Sequence, residues 1–86
     1  MTKYIATFYT HYGAIKFRQY CKAKDITASM MPTPRILGAS CGVCIQFAVN
    51  NCTMPVQYCE YDSYDLENYY ELRTNGEYTK WIPEGQ

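Results

Sequence analysis

The period of apolar and polar positions changes several times along these 86 residues, and each change marks an element. Residues 3–9, Lys-Tyr-Ile-Ala-Thr-Phe-Tyr, form a short β-branched and aromatic run that predicts a first strand. Thr10 offers an N-cap, and Ala14, Phe17, Tyr20 and Cys21 recur at spacings of three and four, predicting a helix over 11–24 with one apolar face. Residues 26–31 predict a second strand, stopped by Pro32. Thr33 before Pro34 resembles a cap and a first helical position, so one or two turns are expected over 34–40, ended by Gly42. Val43, Ile45, Phe47 and Val49 then alternate with Cys44, Gln46 and Ala48, the pattern of a strand with one buried face, closed by Asn50 and Asn51. Residues 52–61 carry Pro55, two cysteines and two tyrosines without a clear period. Asp62 or Ser63 can cap a second helix reaching Thr74, with Leu66, Tyr69, Tyr70 and Arg73 on one side and Gly76 past its end. Residues 78–82 predict a last strand, ended by Pro83.

That order is the ferredoxin-like βαββαβ arrangement of the α+β class, a four-stranded antiparallel sheet with two helices on one face. With its usual strand order 4-1-3-2, the ends of strands 1 and 2 meet the start of strand 3 at one edge. Thr10, His11 and the amino end of the first helix then lie near Arg35 and Cys41.

Length sets a single domain over residues 1–86. Eight basic residues balance eight acidic ones, which leaves no global field for nucleic acid or an anionic membrane. The charges are segregated: residues 1–35 carry Lys3, Lys16, Arg18, Lys22, Lys24 and Arg35 against Asp25 alone, while Arg73 and Lys80 face seven acidic residues in the remainder. Such faces are ordinarily solvated surface. No apolar run approaches the roughly 18 residues a membrane span needs, and no basic-then-apolar leader opens the chain. With five cysteines, an odd number, the expectation is free thiols in a reducing cytoplasm. A hydrophobic content of 48% in so small a domain predicts a homodimer that covers the helix-free sheet face. Aromatics among the ten tyrosines on that face would alternatively make an interaction patch, and with it a binding or scaffold module.

Candidate chemistry concentrates in residues 31–44, where two prolines and an arginine precede Gly38, Ala39, Ser40, Cys41 and Gly42. Small residues leave room around the Cys41 sulfur, and a thiolate is favoured by a nearby helix amino end or positive charge, supplied here by the first helix and Arg35. The carbonyl end of the short helix at Pro34 would oppose it. Other uses of these residues stand beside this one. Cys41 could be a small buried hydrophobe, and His11 an ordinary surface residue. Cys41-Gly42-Val43-Cys44 has the C-x-x-C spacing of thiol redox proteins, although strand alternation sends residues three apart to opposite faces. Cys41, Cys44, Cys52 and Cys59 could ligate zinc, but their second pair lacks the close spacing of a knuckle.

Ala6-Thr7-Phe8, His11-Tyr12, Met31-Pro32-Thr33-Pro34-Arg35 and Ser40-Cys41-Gly42 together resemble the small bacterial family of selenium/sulfur carrier-like proteins. The resemblance is clear from Lys3 to Val49 and looser beyond. It implies that Cys41 is a carrier thiol holding sulfur or selenium as a persulfide or selenosulfide; the candidate site is then Cys41 with His11, Arg35, Ser40 and Gly42, and no resident cofactor is expected. It also implies a donor such as a cysteine desulfurase, an acceptor protein, and a carrier more than a turnover enzyme. Cys44 departs from the family pattern, where an aliphatic or small residue is usual.

Overall fold

A computed structural model describes residues 1–50 and 54–83. Its elements are β1 (Thr2–Phe8), α1 (His11–Ala23), β2 (Ala28–Pro32), a 3-10 helix (Arg35–Leu37), β3 (Val43–Val49), a second 3-10 helix (Tyr58–Tyr64), β4 (Leu66–Leu72) and β5 (Tyr78–Trp81). The strands form one sheet in the order β2-β3-β1-β4-β5, every pairing antiparallel. β3 lies between β1 and β2, as the expected topology requires, and β4 takes the place beside β1 that the sequence assigned to the last strand.

The second half differs from the ferredoxin-like expectation. The helix predicted over 62–74 is the end of the second 3-10 helix followed by β4, so the sheet has five strands and, among the described residues, there is one α-helix. The cause is a β-bulge. Thr7 pairs with Asn68 but Phe8 pairs with Leu66, leaving Glu67 as the extra residue. Leu66 and Tyr69, three apart, are thereby both turned into the core, which imitates helical spacing.

α1 is capped by Thr10, whose backbone is extended and whose hydroxyl accepts the Gly13 N–H, and it ends where Lys24 N–H reaches the carbonyls of Tyr20 and Cys21. Its buried face, Ala14, Phe17 and Cys21, packs on Tyr4, Ala6 and Phe8 of β1 and Ile45 and Phe47 of β3. Phe17 stands at the centre, with ring centroids 5.3 Å from Phe8 and 5.5 Å from Phe47. Burying one such ring is worth about 1.5–3 kcal/mol. Met54, Val56 and Tyr61, from the stretch without a readable period, complete the same core. On the other sheet face no helix lies among the described residues. Ile5, Thr7 and Cys44 are nonetheless fully buried there, Ile5 between its cross-strand partners Gln46 and Tyr70.

This core makes the fold sensitive to alkali. Burial pushes the Cys21 thiol from its ordinary 9.0 up to about 12, and burial, with Tyr58 adding, takes Tyr61 from 10.0 to about 12. Tyr69 is also raised, mainly by burial. A folded-state value above the unfolded one means the stabilisation is complete below the unfolded value and is lost as pH climbs to the folded one. Each such group weakens folding about tenfold per pH unit within its window. Circular dichroism should therefore show cooperative unfolding between pH 9.0 and about 12; a signal unchanged across that range would contradict it.

Candidate functional site

The loop that carries Cys41 leaves β2 at Pro32 and re-enters the sheet at Val43, which are register partners. Thr33 continues that ladder by one step: its N–H donates to the Gly42 carbonyl at 3.0 Å, and its hydroxyl donates to the Cys41 carbonyl at 3.1 Å. Thr33 thus fastens the base of the loop and does not cap a helix. The expected turns over 34–40 contract to the single 3-10 turn of Arg35–Leu37, which Gly38 ends in the left-handed region at φ 60°, well before Gly42. From the opposite side, the Glu67 carboxylate accepts the Ser40 N–H and hydroxyl, each at 3.2 Å. The bulge makes this possible by releasing Glu67 from strand pairing.

Antiparallel pairing of β3 with both neighbours brings the end of β1, and hence the start of α1, to this loop. Cys41 Sγ lies 3.8 Å from His11 Nδ1. The thiol can donate to a bare Nδ1, or a protonated Nδ1 can donate to a thiolate, and His11 is exposed enough to exchange its proton with water. Cys41 itself is only 7% exposed, not the partly exposed thiol that an open loop implies, because Thr33 and Glu67 hold the loop down. The helix amino end beside it already has an anion: the Thr10 hydroxyl donates to the Asp65 carboxylate at 2.8 Å while accepting from Gly13.

Of the residues singled out in the sequence, His11, Ser40, Cys41 and Gly42 come together. Arg35 does not join them through its side chain, which is exposed and has no hydrogen-bond or ion-pair partner among the described residues. Cys44 faces the other side of the sheet, fully buried, with Sγ 3.7 Å from the Pro32 carbonyl. Burial raises its ionisation above the usual thiol range; the Thr33 hydroxyl opposes this and Cys41 adds to it. Cys59 is exposed in the second 3-10 helix and Cys52 lies outside the described residues. Among the described residues no three His, Cys, Asp or Glu side chains stand close enough to share a metal ion. Sequence reasoning missed Glu67 and gave Thr33 the wrong task. Glu67 acts on Ser40 across 27 residues, and Thr33 acts through the pairing of β2 with β3, neither of which a residue's own neighbours signal.

A family model described as "Putative Se/S carrier protein-like" matches residues 3–71, which contain every residue of the site. No curated protein and no solved structure matches this chain.

Proposed function

Since the chain belongs to the Se/S carrier protein-like family, we propose that it carries sulfur or selenium on Cys41 as a persulfide or selenosulfide. The observation that supports this most directly is the 3.8 Å approach of His11 Nδ1 to Cys41 Sγ, which gives one thiol of the chain a proton acceptor. In the loading step the Cys41 sulfur attacks the terminal sulfur of a donor persulfide, R–S–SH. A new S–S bond forms, the donor's S–S bond breaks, and R–SH leaves with the proton that His11 took from Cys41. No outside oxidant or reductant is consumed. A cysteine desulfurase suits the donor role, and a thiol on an acceptor protein suits unloading by the same exchange. Ser40 and Gly42 flank the sulfur without bulk, and Glu67 and Thr33 keep the loop in register with His11.

Incubation with a cysteine desulfurase followed by mass spectrometry tests the assignment. Sulfur should be found on Cys41, and Cys41 should react with iodoacetamide faster than the more exposed Cys59. His11→Asn should slow Cys41 by about a hundredfold, the usual scale for a lost general base. If Cys41→Ser loads as fully as the wild type, or Cys59 reacts first, the carrier assignment fails and a binding role for the helix-free sheet face replaces it.

A further inference from the structure

We propose that Cys44 is the resolving thiol for Cys41, discharging the carried atom inside the protein when no acceptor takes it; this rests on the carrier reading above. Strand alternation separates residues three apart only within a strand, and Cys41 is not in one: the chain bends at residues 40–42, and β3 begins at Val43. The two cysteines also converge on one residue. The Thr33 hydroxyl donates to the Cys41 carbonyl and stands within hydrogen-bond reach of the Cys44 thiol, whose sulfur also meets the carbonyl of the preceding residue, Pro32. Gly42, between them, is exposed and a Cβ there would meet nothing within 4 Å, so no neighbour blocks the backbone rotation at 40–42 that the approach of Sγ to Sγ requires. Finally, Cys44 is fully buried, so thiols and disulfides in solution do not reach it. The electrophile left to it is Cys41 Sγ once that atom bears the carried sulfur or selenium.

The step balances without an oxidant. Cys44 Sγ attacks Cys41 Sγ, the bond from Cys41 to the carried sulfur breaks, and that sulfur leaves with the bonding electron pair. It takes the Cys44 proton and its own and departs as hydrogen sulfide, or as hydrogen selenide where selenium is carried. A Cys41–Cys44 disulfide remains, and a small dithiol must reduce it before the next loading. Burial disfavours the Cys44 thiolate, which slows its attack on Cys41.

The full chain, loaded with inorganic polysulfide and freed of excess reagent, provides the test, read by sulfide release, intact mass and peptide mapping under alkylation. Wild type should lose its persulfide, release sulfide in matching amount and acquire a 41–44 crosslink. Cys44→Ala should keep the persulfide at least about tenfold longer, as expected when an intramolecular thiol is removed, and form no crosslink. Cys44→Ser, whose hydroxyl can still donate to the Pro32 carbonyl, gives the same reading should the alanine variant not fold. Decay in both variants at the wild-type rate, or sulfide release without the crosslink, overturns the role of Cys44 and leaves the carrier reading standing. Failure of Cys41 to load even in the folded Cys44 variants overturns both.

Discussion

Tyr69→Phe should lower the melting temperature by about 15 °C while leaving Cys41 as reactive as in the wild type. The ring of Tyr69 is fully buried, with centroids 5.7 Å from Phe47, Tyr61 and Trp81, and phenylalanine preserves all of these contacts. The hydroxyl is different. It accepts the Val56 N–H at 3.1 Å and donates to the Val56 carbonyl at 3.0 Å, and Val56 is itself only 1% exposed. Removing one oxygen therefore strands two buried backbone groups, each costing about 1–3 kcal/mol. A total near 3 kcal/mol is a large part of the stability of so small a domain, and at about 5 °C per kcal/mol it yields the shift given. A melting curve within a few degrees of wild type would mean that Val56 is not held by this bond. Neither Cys41 nor His11 is among the ring or hydrogen-bond partners of Tyr69, so a parallel loss of thiol reactivity would contradict the separation of core and site.

That bond also explains which parts of the fold could be read in the sequence. β1, α1 and β3 carry their period locally, and Thr10 announces the helix start in the residue before it. The position of His11 beside Cys41 needed only the order of the first three strands, so it survived the error in the second half. Val56, by contrast, enters the core on a hydrogen bond from a residue 13 positions later, and nothing within residues 52–61 signals that. β4 was misread because the bulge at Glu67 gives Leu66 and Tyr69 a helical spacing, with Tyr70 and Arg73 extending the coincidence. A contrary signal was present in Asn75-Gly76. Gly76, placed past a helix end by the sequence, belongs with Asn75 to the turn of the β4–β5 hairpin, where Gly76 N–H reaches the Arg73 carbonyl and Arg73 N–H the Glu77 carbonyl. Once Leu66–Leu72 is a strand, Glu67 lies beside Ser40 and the clamp on the Cys41 loop follows.

The same packing makes Gly13 the residue through which the core can reach the site. On local grounds alanine belongs in a helix more than glycine by about 1 kcal/mol, so Gly13→Ala would ordinarily stabilise α1. Here the added Cβ would stand 2.1 Å from the Tyr64 carbonyl oxygen and 2.8 Å from Asp65 Cβ. The nearest obstacle is backbone, and Asp65 is fixed in turn by the Tyr9 N–H and the Thr10 hydroxyl, each at 2.8 Å. The clash outweighs the propensity gain, and the expected net cost is about 2–3 kcal/mol, the upper part of the overpacking range. Relief requires the amino end of α1 to lift away from residues 64–65, and His11 lies two positions before Gly13. At 3.8 Å the His11–Cys41 contact is already near the limit for a bond to sulfur, so a small displacement breaks it. Folded Gly13→Ala protein should therefore alkylate at Cys41 as slowly as His11→Asn does. Gly42→Ala is the control, since a Cβ there meets nothing within 4 Å and its backbone needs no positive φ; it should melt like wild type. If Gly13→Ala melts and reacts like wild type, the close seating of α1 on residues 64–65 is wrong, and with it the argument that this seating holds His11 at the thiol.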